Sequence, residues 1–255
     1  MRTIVSTGRG GTGKTTFIAL LTKYWIKKKS LLLVDIDPDE NLAEMVGIDL
    51  QKEGIKTISD ILFDIQKGRV DDELKSLPRP VQIEYMFHLC LYEGDGFDLF
   101  SLGAKWTEGC YCQPNNILKS IIPKLSKNYD CTLIDSPAGL EHLNRKIMSE
   151  IDSIVAIVDP SKKSFHNVRR SLGVAREIGI KFKDFYIVSN YKFSNSLEES
   201  IKKLGLKYIG KMDYDENVEG YILEGKSLLG LPEDSPAFLS VEKIIENWET
   251  QENQV

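Results

Sequence analysis

The stretch GRGGTGKT, Gly8 to Thr15, restricts what this chain can fold into more than any other. It fits the phosphate-cradling pattern G-x-x-x-x-G-K-[ST], which works between a buried strand and the start of a helix. Both neighbours are legible. The apolar run IVST (4–7) reads as the strand, and Lys14 to Lys28 as the helix, with Phe17, Ile18, Leu20, Leu21, Tyr24 and Trp25 on one face. Glycines let successive N–H groups turn toward phosphates, and the helix N-terminus adds the positive end of its dipole. Lys14 is placed for the β- and γ-phosphates and Thr15 for Mg²⁺. Gly8, Gly10, Gly11, Thr12, Gly13 and Thr16 complete the expected nucleotide contacts.

The rest of the chain repeats the alternation. LLLVDID (31–37), CTLID (131–135), SIVAIVD (153–159), FYIVSN (185–190) and LKYIG (206–210) read as strands separated by helix-length amphipathic segments. That pattern predicts an α/β fold with a mainly parallel sheet covered by helices on both faces. Ile83–Leu91 and Phe97–Leu102 are further strand candidates around the turn Gly94-Asp95-Gly96, and a helix is expected to start just past Pro114. No repeat or Pro/Gly/Ser linker interrupts the series. Residues 1–248 are therefore expected to form one domain with a cysteine-bearing insertion around 103–116, and ETQENQV (249–255) a disordered tail.

Composition narrows the function classes. The N-terminus lacks a secretory signature, and no apolar stretch approaches the roughly 20 residues that span a bilayer, so a cytoplasmic location without a membrane partner is expected. In a reducing compartment the four cysteines are thiols or metal ligands rather than disulfides. A net charge of −5 argues against nucleic acid as the main partner. Lys162, Lys163, Arg169 and Arg170 are either a solvated helix face or a weak nucleic-acid contact.

Carboxylates and thiols supply the remaining candidates. Asp135 ends the strand CTLID, the place of a Mg²⁺-supporting aspartate. Strand period puts Asp35 and Asp37 on one face. Either they support Mg²⁺ and orient the attacking water, or they cap the next helix. In TEGCYCQPNNI, Cys110 and Cys112 point to one side if the segment is extended. Two thiolates are too few for a closed site. A symmetric dimer would supply four, matching a tetrahedral or square-planar metal, while the plain alternative is a pair of loop thiols or a strained local disulfide. Cys90 and Cys131 fall in apolar runs and read as small buried residues. His142, after Glu141, either relays a change or binds metal, or packs at a helix start; His88 and His166 show no partners.

GRGGTGKTT together with VDIDPD, LIDSPAG and VSN resembles the deviant Walker A ATPases, the MinD/ParA group that includes nitrogenase iron protein. The resemblance implies that Asp37 positions the catalytic water and that Asp135 with Ser136-Pro137-Ala138-Gly139 forms the second switch. It also implies that Asn190 reads adenine. The group carries a lysine at the loop's second position, which reaches across an ATP-sandwich dimer to the partner's phosphates. Here Arg9 stands there. Either its bidentate fork keeps the trans role, or turnover and dimer geometry change.

TEGCYCQPNNILKSII followed by AGLEHLNRK is similar to the CooC group, nickel-associated accessory ATPases of carbon monoxide dehydrogenase and acetyl-CoA synthase. The likeness runs from Thr3 to about Phe238. It implies an ATP- and Mg²⁺-dependent homodimer, with Ni²⁺ or Zn²⁺ held by Cys110 and Cys112 at the interface. One of those two enzymes is the implied client. The rivals are a MinD/ParA-type positioning or regulatory ATPase, disfavoured by the acidic C-terminal segment, and an iron-protein-like Fe–S reductase, disfavoured because SPAGLEHLNRK has no cysteine.

Overall fold

The computed structural model describes residues 1–69, 76–104, 112–138, 150–194, 201 and 206–252. The strands are β1 (Arg2–Gly8), β2 (Leu31–Asp35), β3 (Leu91–Glu93), β4 (Phe97–Ser101), β5 (Cys131–Asp135), β6 (Glu150–Val158), β7 (Lys181–Ser189) and β8 (Lys207–Lys211). They form one sheet in the order β3-β4-β2-β5-β1-β6-β7-β8. All neighbours are parallel except the β3–β4 hairpin at one edge. Because β5 and β6 flank β1 on opposite sides, the chain reverses its direction of travel at β1. A crevice forms there, beyond the carboxyl ends of the strands, where open α/β sheets bind ligands.

The helices are α1 (Lys14–Trp25), α2 (Asn41–Met45), α3 (Ile58–Gln66), α4 (Arg79–His88), α5 (Cys112–Leu125), α6 (Lys162–Glu177), α7 (Glu216–Leu223) and α8 (Pro236–Glu252). Strand period divides the core in two. Leu31 and Leu33 face one side, where α1, α2 and α8 add Phe17, Leu20, Trp25, Leu42, Val241 and Trp248. Leu32 and Val34 face the other, where α3, α5 and α6 add Ile58, Ile61, Leu118, Ile122, Val168 and Ala175. Both faces of the sheet are thus buried, as the near-continuous apolar strands require.

Three expectations change. Ile83–Leu91 is not a strand: residues 79–88 form α4, with proline in its first turn, and only Leu91–Glu93 is extended. The apolar run satisfies either period, and packing decides; Phe87 lies 5.3 Å from Phe100, centroid to centroid. Second, α5 begins at Cys112 rather than past Pro114, since a proline in the first turn removes no intrahelical hydrogen bond. The extended geometry expected for the thiol pair therefore fails at Cys112, and Cys110 lies outside the described residues. Third, α8 runs on through Glu252, so 249–252 of the expected tail is helical. Arg2 pairs there with Glu252 at 2.6 Å. Residues 253–255 lie outside the described residues.

Candidate active site

The turn from β1 into α1 closes with Gly13 as N-cap at φ 98, a left-handed conformation that glycine adopts without strain. The loop forms the floor of a cleft of ≈ 470 Å³. Gly10, Gly11, Thr12, Gly13, Lys14, Thr15 and Thr16 line it, and Gly8 ends the strand beneath. Thr12 Oγ1 donates to the Arg9 carbonyl at 2.9 Å, and Lys14 Nζ donates to the same oxygen at 3.2 Å. Burial lowers the Lys14 pKa, while the charges of Asp135 and Asp37 pull it back up. An ammonium largely removed from water and held in a turn of backbone N–H groups matches a polyphosphate.

Asp135 sits one strand away and is 1% exposed. Its Oδ2 accepts from Thr15 Oγ1 at 2.6 Å and its Oδ1 from Ser6 Oγ at 2.8 Å. Ser136 Oγ donates to the Ser6 carbonyl at 2.5 Å, tying β5 to β1. Burial pushes the Asp135 carboxyl up to about 6. The hydroxyl and carboxylate fit Mg²⁺, which when bound neutralises charge on the β- and γ-phosphate oxygens.

Asp35 and Asp37 separate in role. The strand ends at Asp35, and its fully buried carboxylate faces the following turn: Oδ1 accepts from Asp37 N–H at 2.9 Å and Oδ2 from Leu42 N–H at 3.0 Å. Asp35 thus organises the loop that opens α2, as the capping alternative held. Burial and the neighbouring Asp135 raise its pKa well above the usual range. Asp37, beyond the strand, lines the cleft beside the loop.

The opposite wall of the cleft carries Asn190. Asn190 is 1% exposed and its Oδ1 accepts from Lys192 N–H at 3.1 Å, which orients the amide NH₂ as a donor. Sequence reasoning missed Tyr191 and Tyr214, whose rings lie 5.3 Å apart at 53° on this wall. Their signal is positional: both follow the carboxyl ends of adjacent parallel strands, β7 and β8.

Arg9 is not among the residues lining this cleft. Its Nη1 donates to Ser161 Oγ at 3.0 Å and to Asp159 Oδ2 at 3.3 Å on its own chain. It borders a second cleft of ≈ 360 Å³ with Gly10, Ala138, Lys163, His166, Asn167 and Arg170. Gly139, Glu141 and His142 lie outside the described residues. Cys90 and Cys131 are 3% and 0% exposed, and burial pushes both thiols up to about 12. Among the described residues no group of three or more His, Cys, Asp or Glu is placed to hold a metal. No helix among them is long and apolar enough to cross a membrane.

A family model described as an AAA domain matches residues 1–184. The uncharacterized ATP-binding protein MJ0685 of Methanocaldococcus jannaschii is 37% identical over 251 residues, 95% of this chain and 96% of its own. The carbon monoxide dehydrogenase accessory protein CooC of Rhodospirillum rubrum is 28% identical over 188 residues, 70% of each chain. In fold, the chain is similar to the septum site-determining protein MinD of Pyrococcus horikoshii, solved with Mg-ADP. The TM-score is 0.70 at 19% identity, covering 98% of this chain and 96% of that one. The phosphate loop, the hydrogen-bonded Thr15–Asp135 pair and these matches lead to one conclusion: the chain is an ATPase and belongs to the AAA domain family.

Proposed function

We propose that this ATPase is a cytoplasmic homodimeric accessory factor that handles nickel for a carbon monoxide dehydrogenase or an acetyl-CoA synthase. The observation that carries the reading is the spacing Cys110-x-Cys112 at the entrance to α5, in a chain whose other two cysteines are sealed in the core. The CooC relative supports it. In this reading Lys14 holds the β- and γ-phosphates, Thr15 and Asp135 support Mg²⁺, and Asp37 orients water for attack on the γ-phosphorus. The bond to the β–γ bridging oxygen breaks, leaving ADP and phosphate. Asn190 donates to the adenine, and Arg9 leaves its own Asp159 to reach the partner's phosphates. Four thiolates from two chains hold Ni²⁺, or Zn²⁺ in its place, as cargo.

The test is an anaerobic titration of the reduced protein with Ni²⁺ and with Zn²⁺, read by metal stoichiometry and sedimentation. About one metal per two chains is expected from ligand count, with dimerisation lost in Cys110→Ser and in Cys112→Ser. No tight metal, with ATP-driven dimerisation intact in both variants, overturns the nickel reading. The cationic cleft of Arg9, Lys163, His166 and Arg170 favours a second one, a MinD/ParA-type ATPase that positions itself on an anionic partner. Salt-sensitive retention on DNA or ATP-dependent binding to anionic vesicles would select it.

A further inference from the structure

Ser6 lies on β1, between β5 and β6, two residues before the phosphate loop opens at Gly8, and it is fully buried. A hydroxyl buried in a sheet costs free energy unless it is hydrogen-bonded. The neighbouring Thr7 Oγ1 is buried without a partner among the described residues. Ser6 differs. Its Oγ donates to Asp135 Oδ1 at 2.8 Å and accepts Ser136 N–H at 3.3 Å, and its carbonyl accepts Ser136 Oγ at 2.5 Å. The direction of the first bond is fixed by its partners. The Ser136 N–H can only donate and an ionised Asp135 can only accept, so the single hydroxyl proton of Ser6 points at Oδ1.

Strand alternation puts Ser6 and Asp135 on the face that carries Ile4 and Leu133, the side covered by α1. There Asp135 Oδ2 accepts from Thr15 Oγ1 at 2.6 Å. Each carboxylate oxygen thus has its own hydroxyl on a different element, Oδ1 on β1 and Oδ2 on α1. The terminal torsion of an aspartate is broad and roughly twofold, so a single bond lets the carboxylate plane swing while two on opposite oxygens hold it. Removing the group that orients a metal-supporting side chain typically lowers metal affinity by about 10- to 100-fold.

We propose that Ser6 is a positioning residue for the Asp135 carboxylate: its hydroxyl fixes one oxygen, so that the other is presented beside Thr15, where Mg²⁺ is held with the nucleotide. That role rests on Thr15 and Asp135 supporting Mg²⁺ and is independent of nickel handling. Ser6 itself touches neither metal nor phosphate; it acts through Asp135, from the strand that leads into the phosphate loop.

The experiment follows the fluorescence of mant-ADP on the full chain, first in excess chelator and then as free Mg²⁺ is raised. In the wild type Mg²⁺ is expected to tighten ADP binding, with a defined half-saturating concentration. Ser6→Ala should bind ADP in chelator much as the wild type does, yet need about 10- to 100-fold more Mg²⁺ for half-saturation. Ser6→Thr separates this role from packing: it keeps the hydroxyl and crowds the buried site, whereas Ser6→Ala removes the hydroxyl and crowds nothing. Positioning by the hydroxyl makes the Ala variant the worse of the two, and packing alone makes it the Thr variant. Should Ser6→Ala show no cooperative melting, Ser6→Cys, close in shape but only a weak donor, is measured in its place with a rise in the Mg²⁺ requirement expected. An unchanged Mg²⁺ requirement, a Thr variant more impaired than the Ala variant, or equal weakening in chelator and in Mg²⁺ overturns the positioning role. A wild type whose ADP binding ignores Mg²⁺ overturns the Mg²⁺ assignment of Thr15 and Asp135 and the positioning role with it, so failure of the premise and failure of the role are told apart.

Discussion

Asp135 accepts two hydroxyl hydrogen bonds, from Thr15 and Ser6, yet sits buried in the sheet, where the partly desolvated Lys14 only partly offsets the cost of its charge. Without metal, burial raises its pKa from the ordinary 3.8 to about 6. Between those values the folded chain binds the proton that the unfolded chain has released, so this group's contribution to stability falls as pH rises from about 4 to 6. Above that window an ionised buried carboxylate persists until Mg²⁺ and nucleotide arrive. Asp135→Asn should therefore stabilise the metal-free protein at pH 8 by on the order of 2–3 kcal/mol and change little near pH 4. Thermal unfolding in a chelator at the two pH values measures this. The same variant should lose Mg²⁺-dependent hydrolysis. A lower melting temperature at pH 8 would mean that the two hydroxyls outweigh burial.

At the scale of elements, what was legible in the sequence follows from how local each signal is. The phosphate loop is covalently local, so the glycine spacing and the flanking strand and helix placed Lys14 and Thr15 against Asp135. Asp35 was not legible, because its role depends on where β2 stops; Ile36 N–H turns to the Asp135 carbonyl, and the strand ends before Asp37. Residues 83–91 suit either period, and Tyr191 and Tyr214 meet because two parallel strands end side by side. α8 shows how a late element is fixed by distant partners. Trp248 is 1% exposed, its ring lies 5.1 Å from Tyr186, and the Arg2 guanidinium stands 4.2 Å over its centroid. Trp248→Ala should cost about 3–5 kcal/mol, read as a lower urea midpoint. Its indole N–H is buried without a partner among the described residues, so Trp248→Phe removes a buried polar group with much of the ring retained, and should cost far less.

At the scale of the whole molecule, the proposed homodimer poses the question of how a chain that holds its phosphate-loop arginine in cis would meet a second copy. Arg9 is paired with Asp159, and Ser161, which caps α6 by accepting from Ser164 N–H at 3.2 Å, holds the same guanidinium. If dimerisation uses Arg9 in trans, those contacts must break first, and their strength sets part of the barrier to association. Ser161→Ala would confuse the outcome by removing the helix cap. Asp159→Asn is cleaner, because its amide oxygen still accepts the Ser161 N–H that Asp159 Oδ1 accepts at 2.8 Å, while the charge is gone. The Arg9 side chain is 39% exposed, so the pair is worth at most about 1 kcal/mol. Because each of the two chains must break one such pair, ATP-dependent dimerisation of Asp159→Asn should shift to lower protein concentration by no more than about thirtyfold, measured by sedimentation. Arg9→Ala should abolish that shift and lower hydrolysis in the dimer. An Asp159→Asn variant that dimerises more weakly than the wild type would instead assign Asp159 to the interface itself, with Arg9 held in cis throughout the cycle.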